Sequence, residues 1–486
     1  MKSRLRIKSI SFCLTILSTL LIPSSVAQTG AVDLTKTQIR SSSKIEIIAS
    51  TDLVNAYLTT FRPNSDTWLT IVFPEGVVPH ISYGNTLELT ISGHLLQARI
   101  QSATYLPEVL APILIVEDAL GATILKLYPA PADLPKVTLE GNLTEMKKLS
   151  YLLSPTSING SFTMAIESGR IKYFEKFSNF VLAFREISDS PEIRLASGTA
   201  KYAYHEKVEL SRPFYTPGIW RLLDKDFKPI GEISSFNILK QRVYPEGHGI
   251  TTSPIGTPVV MSYITRKVDS SWLDKPYDAP IIDCVISQLS NGKAVKSFSA
   301  WDWFNSHRSD SKALFLGGER QIDLSRADKP IDFCHANSLV YSKTLKSYIV
   351  SLRSLDLILI IDSALKNVTG ILHAPGSRQH FARLLSPTKI TALGNYTGAS
   401  YSKLQTWTKI DSGWNLSEDT LPIKISYCGN AQVLSNNHLW AAGGCANFEK
   451  DTAGVIFDTS KATIVEIGRF KLFDSGGSYR VELYKP

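Results

Sequence analysis

The chain has 486 residues, of which 43% are hydrophobic and 20% charged, and a formal net charge of +8. That length allows two or three domains, and the apolar fraction can fill their cores, which excludes a disordered or fibrous chain. Lysines and arginines form no dense stripe, so nucleic acid is not expected as a partner.

Residues 1–27 read as a signal peptide. "MKSRLRIK" supplies four cations, "SISFCLTILSTLLI" an apolar run, and "SSVA" the small residues for cleavage after Ala27. The apolar run is shorter than the roughly 20 residues a spanning helix needs, and nothing downstream reaches that length, so no membrane span is expected. The mature chain is read as exported, periplasmic or secreted. Losing Lys2, Arg4, Arg6 and Lys8 takes its formal charge from +8 to +4.

From here to the C-terminus the apolar pattern has the period of strands rather than helices. "SKIEIIAS", "WLTIVFP", "TLELTISG", "PILIVED" and "KVTLEG" lie between Ser43 and Gly141, and residues 28–144 are read as a small N-terminal β-sandwich. Residues 145–486 are read as a β-propeller, because units of a polar head, a strand, a turn and a second strand recur. "GHGITTSPIGTPVVMSY", "FCHANSLVYSKTLKSYIVSLRS", "RQHFARLLSPTKITALGN" and "YCGNAQVLSNNHLWAAGGC" align. Their heads fall at His248, His335, His380 and Gly429, spaced by 87, 45 and 49 residues. The first interval holds an insertion around "DKPYDAP" and "NSHRSDSKA". "SFTMAIESGRIKYF" and "IWRLLDKDFKPIGEI" supply two earlier units, for six blades in all, and "SYRVELY" reads as a closing strand. The expected fold is therefore all-β, a six-bladed propeller preceded by a small sandwich.

Once Cys13 leaves with the signal peptide, Cys284, Cys334, Cys428 and Cys445 remain. Four cysteines in an oxidising compartment permit two disulfides, in three pairings. Cys428 with Cys445 is the simplest, on two arms of one hairpin. The spacing is not that of a zinc site.

In a propeller, equivalent positions of successive blades converge on the central channel. His248, His335 and His380 therefore form a ring of imidazoles, with Arg353 on the strand after His335. This set suits an anionic group rich in oxygens: arginine donates a planar fork of hydrogen bonds, and a neutral imidazole is a nucleophile or proton carrier. Asn337 offers a further donor. "WDWFNSHRSD" presents Trp301, Trp303, Phe304 and His307. They either overhang the pocket or pack an outer strand, and the packing role is favoured.

"CHANS", the later "SLRS", "RQHFARLL" and "EGHGITTSPIGTPVV" resemble motifs of the bacterial PAPS-independent arylsulfate sulfotransferases. The likeness extends over roughly residues 150 to 486 and is specific at these motifs. It implies an exported six-bladed propeller that moves a sulfuryl group between phenols through a sulfohistidine, with neither nucleotide nor other cofactor, and no metal. It implies His380 as nucleophile, and Arg353 stabilising the equatorial oxygens. His248 and His335 would bind the sulfuryl group, one of them carrying the phenol proton, while Asn337 donates to a sulfuryl oxygen. The partners are then a phenolic sulfate donor and a phenol acceptor; a homodimer is compatible. The chain departs from the family at Phe333, where a tryptophan is usual, at Ser354, where a histidine is common, and at "LGNYTG", which lacks an aspartate. Two other readings compete: a non-catalytic ligand-binding propeller, and a metal-dependent lyase or hydrolase with the three histidines as ligands. Arg353 argues against the second, since a fixed cation disfavours another.

Overall fold

The computed structural model of the chain describes residues 135–484 with interruptions, the longest at 201–217, 308–330 and 444–451; before residue 135 it describes strand backbones alone. The earlier strands form one five-stranded and one four-stranded sheet. The signal peptide, Cys13, Cys445 and the side-chain packing of the expected sandwich lie outside the described residues. Contacts divide the chain into two compact units, Met1–Thr138 with Ile166–Tyr173, and Leu139–Ala165 with Phe174–Pro486.

The remaining strands form the six expected propeller blades. The innermost strands of blades two to six are Val181–Glu186, Ile250–Thr252, Ala336–Ser342, His380–Ser386 and Asn430–Val433. The innermost strand of blade one is the last in the chain, Ser478–Leu483, which pairs antiparallel with Ser150–Ser157. The closing strand read from "SYRVELY" is therefore present, and it zips the end of the ring to its beginning.

Local sequence explains the strand order within a blade. In blade four, "SYIVSL" and "LILIID" form the two middle strands, Ser347–Leu352 and Leu357–Asp362, and all but the last residue of the second is buried. Strands covered on both faces want such continuous apolar runs. The outermost strand of blade five, Gly413–Leu421, instead alternates between exposed and half-buried residues over most of its length. Hairpin turns follow the same logic. Asn291 and Gly292 join Ala279–Ser290 to Lys293–Ser299, with φ of 48° and 70°. A two-residue turn with both φ positive matches the twist of its strands, and Asn-Gly adopts it at least cost. The long interval before His335 falls in blade three, which after His248 carries strands of 11 and 12 residues, the helix Ala300–Ser306 and a short extra strand, Ile331–Asp332.

Apolar clusters fill the wedges between neighbouring blades. One joins Met261, Ile286, Phe298, Trp301 and Phe304 to Leu339, Tyr348 and Leu359. Trp301 and Phe304 lie against Phe333, with ring centroids 4.9 and 5.3 Å apart, so the aromatic stretch packs an outer wedge as favoured. His307 is exposed, and its Nδ1 lies 2.8 Å from the Trp303 carbonyl at the end of the helix Ala300–Ser306. Three buried tryptophans also tie blades together through their indole N–H groups. Trp220 donates to the Glu246 carbonyl, Trp407 to that of His373, and Trp440 to that of Val481.

The disulfide Cys284–Cys334 links a middle strand of blade three to the head of blade four. Cys428 is disulfide-bonded as well, and its partner lies outside the described residues. Among the described residues, no helix is long and apolar enough to cross a membrane.

Trp440 reaches the closing strand across Gly454, where an added Cβ would overlap the indole ring. Gly454→Ala is expected to destabilise the propeller by about 1–3 kcal/mol through overpacking. A denaturant melt checks this against wild type.

Candidate active site

The repeat places the three histidines at equivalent points. His248 and His335 sit just before the innermost strands of blades three and four, and His380 opens that of blade five. The rings of His248 and His335 lie 5.9 Å apart, and His335 is close enough to His380 to act on its charge state. Gly429, the fourth head, instead uses its backbone N–H to bond the Tyr479 carbonyl of the closing strand.

Arg353 begins a single 3-10 turn, Arg353–Leu355. Its backbone N–H donates to the His335 carbonyl at 3.1 Å, and that of Ser354 to the Cys334 carbonyl at 3.0 Å. The far side of the same turn supports the next head. The Asp356 carboxylate accepts from the backbone N–H groups of Gly376 and Arg378, while the Gln379 amide donates to the carbonyls of Leu352 and Leu357. One turn thus braces the loops carrying His335 and His380 and brings Arg353 close enough to His380 for its charge to be felt there. Among the described residues the Arg353 guanidinium has no hydrogen-bonding or ion-paired side chain against it, and its charge is felt by His380, Tyr263 and Tyr479.

Asn337 is fully buried, and its Nδ2 donates to the Gln379 carbonyl at 2.8 Å. Its amide therefore braces the strand that carries His380. The backbone is strained here: His335, Arg378 and Phe381 all have positive φ, at 44°, 47° and 60°. Non-glycine residues in this region cost roughly 1–3 kcal/mol each and persist where surrounding structure enforces them.

Each imidazole has its Nδ1 committed. That of His248 bonds Glu246, which is 1% exposed and also accepts the His248 backbone N–H at 2.6 Å. That of His335 lies 2.6 Å from the Asp332 carboxylate, which is 23% exposed. That of His380 lies 2.9 Å from the Arg378 carbonyl. A carbonyl only accepts, so Nδ1 of His380 carries the hydrogen and Nε2 is the bare lone pair of the neutral ring. The two carboxylates likewise hold His248 and His335 with Nε2 away from the carboxylate.

Charge follows the same division. Burial first, then the neighbouring cations Arg353 and Arg480 and the ring of His335, hold the His380 pKa well below the usual imidazole range. His248 is also held low by burial, against the opposing pull of Glu246. His380 is thus held neutral with Nε2 bare, while His248 and His335 each have a carboxylate against Nδ1. Among the described residues no group of three or more His, Cys, Asp and Glu side chains is arranged to hold a metal ion.

Glu246 and Asp332 were not singled out from sequence. Their signal is local, a carboxylate two or three residues before a head histidine in "EGH" and "DFCH", but only strand geometry turns it back onto the ring.

Residues 231–391 match the family model described as arylsulfotransferase (ASST), a span containing His248, His335, Arg353 and His380. No curated protein matches the chain. Among solved structures, a protein of unknown function from Bacteroides caccae is 9% identical with a TM-score of 0.39, covering 70% of this chain and 99% of its own. Selenomethionine-substituted virginiamycin B lyase from Staphylococcus aureus is 10% identical with a TM-score of 0.33, covering 70% of this chain and 99% of its own. A protein from Lactobacillus plantarum is 8% identical with a TM-score of 0.34, covering 93% of this chain and 98% of its own. Likeness at that level transfers no chemistry.

Because His248 and His380 resist protonation only when folded, the unfolded chain takes up protons first as pH falls. Folding stability is therefore expected to decline below about pH 6.5, the ordinary imidazole value, and to keep declining until the folded rings titrate. His380→Gln should flatten part of that decline. Denaturant midpoints measured across this range for wild type and variant check it.

Proposed function

We propose, from this chain's place in the arylsulfotransferase family through residues 231–391, that it moves a sulfuryl group from an aryl sulfate to a phenol by way of a sulfohistidine at His380. The observation that carries the reading is the His380 ring, with Nδ1 bonded to the Arg378 carbonyl and its charge state under the influence of the Arg353 guanidinium.

In the first half-reaction the His380 Nε2 lone pair attacks sulfur. The N–S bond forms as the bond from sulfur to the aryl oxygen breaks, and the electron pair leaves on that oxygen. The Arg353 guanidinium faces the sulfuryl oxygens with the His248 and His335 rings beside it, and preorganised donors of this kind contribute several kcal/mol to lowering a barrier. The leaving oxygen takes a proton from His335. We assign this role to His335 rather than His248 because its partner Asp332 is part-exposed and can exchange protons with water, whereas Glu246 is sealed. In the second half, His335 accepts the proton of an incoming phenol, whose oxygen attacks sulfur and releases neutral His380. Asn337 contributes by holding the Gln379 carbonyl beside the nucleophile, and its second amide hydrogen is the one left for a sulfuryl oxygen.

Two halves sharing one intermediate give ping-pong kinetics. No nucleotide enters the scheme. The disulfides suit an oxidising compartment, and we place the mature protein in the periplasm or outside the cell.

The test is incubation with a chromogenic aryl sulfate, with and without a phenol and without nucleotide. Chromophore release should rise with the phenol, and His380→Ala should reduce it by on the order of 10³-fold or more. Full activity in His380→Ala would remove the nucleophile assignment. A propeller that only binds would tolerate His380→Asn with little loss of ligand affinity and show no turnover in wild type.

A further inference from the structure

We propose that Arg480, on the closing strand and outside the span matched to the family, is a positioning residue that locks the three histidine-bearing blades into one reactive arrangement. The inference rests on the sulfuryl-transfer reading above.

Arg480 is 2% exposed and projects from blade one. Its Nη1 donates to the His248 carbonyl at 3.3 Å, and its Nη2 donates to the Asn337 carbonyl. Its guanidinium carbon lies 5.1 Å from the centre of the Phe381 ring, the residue after His380, and 5.0 Å from that of Tyr479. One side chain thus touches the heads of blades three, four and five, each next to a catalytic position. The Tyr479 ring completes the arrangement, edge-on to His248 with centroids 4.9 Å apart.

The chemistry favours arginine here. Carbonyls on the innermost strands have no further strand to pair with, and a buried carbonyl left without a donor is costly. A planar fork can serve two of them at once and still lay its face on an aromatic ring, which lysine cannot do. Arg480 also meets Glu482 at 3.9 Å, but that carboxylate bonds Arg383 at 2.6 Å and interacts with Arg185 too. Three arginines from blades one, two and five thus meet Glu482, and Glu186 acts on Arg383 as well, so arginines outnumber carboxylates in this cluster. The charge of Arg480 bears directly on His380 and His248, disfavouring their protonated forms.

Arg480 touches backbone and rings rather than the sulfuryl group, so its action is on placement and proton affinity. Two substitutions separate these. Arg480→Gln removes both fork and charge. Arg480→Lys keeps a charge but cannot bond two carbonyls and stack on Phe381 together. The measurements are the pH profile of aryl sulfate turnover and the ring titration of His380, followed by NMR of the histidine Cε1–H signals, with thermal melts to verify folding.

Arg480→Gln is expected to lose about a hundredfold in turnover, the scale associated with a misplacement near 1 Å. Removing a like charge makes protonation easier, so the acid limb of its profile and the His380 titration should both move to higher pH. Arg480→Lys is expected to lose rate while its acid limb stays near the wild-type position. A folded Arg480→Gln with wild-type turnover and an unmoved His380 titration overturns the proposal. So does a pair of variants neither of which folds, because Arg480 is then a fold residue alone. Wild type that turns over no aryl sulfate defeats the sulfuryl-transfer reading instead, and the NMR titration still decides whether Arg480 sets the proton affinity of His380.

Discussion

The antiparallel pairing of Ser478–Leu483 with Ser150–Ser157 carries the rest of the structure. A propeller blade cannot bury both faces alone; it does so only when flanked by neighbours, and the ring must close for every blade to be flanked. Closure also makes the site. His248, His335 and His380 lie on separate blades, up to 132 residues apart in the chain, and meet because the ring brings their inner strands to one axis. The same strand that closes the ring delivers Arg480 to the backs of those blades and receives the indole of Trp440 and the amide of Asn430. Fold stability and site geometry are therefore under one control.

Within the ring, the proposed chemistry depends on keeping one imidazole neutral among cations while giving two others carboxylate partners. The division is set by what each Nδ1 meets. A backbone carbonyl at His380 fixes the tautomer without adding negative charge, so burial and the arginines dominate and the lone pair stays bare. Carboxylates at His248 and His335 fix ring orientation through the same nitrogen and bring a negative charge to it that His380 lacks. Residues of one type, repeated at one register, thus acquire different roles from the acceptor placed two or three residues upstream.

Much of this was legible in the chain. The spacing of His335, His380 and Gly429, the recurring unit of polar head, strand, turn and strand, and the closing "SYRVELY" carried the blade count, because repeat architecture repeats its local physics in sequence. Shared register placed His248, His335 and His380 at equivalent points of their blades, and Arg353 was read from the strand after His335. What was not legible depends on contacts across the ring. Glu246 and Asp332 are near in sequence, but nothing local says their carboxylates turn back to the histidines. Asp356 and Gln379 act through backbone groups of a turn whose position only the folded blades define. Arg480 lies 143 residues from the Asn337 carbonyl it holds, and no pattern links the two. The pairing of Cys284 with Cys334 was one of three open choices until strand order brought the two together.

The most direct measurement of the central claim is to mix the protein with an aryl sulfate in the absence of acceptor, quench, and map by mass spectrometry where an added SO3 group resides. The account requires it on His380, formed with release of one phenol per chain, removed on adding a phenol, and missing in His380→Ala. Prompt release of phenol with no modified residue, or a sulfuryl group on any other side chain that turns over with the acceptor, would contradict it.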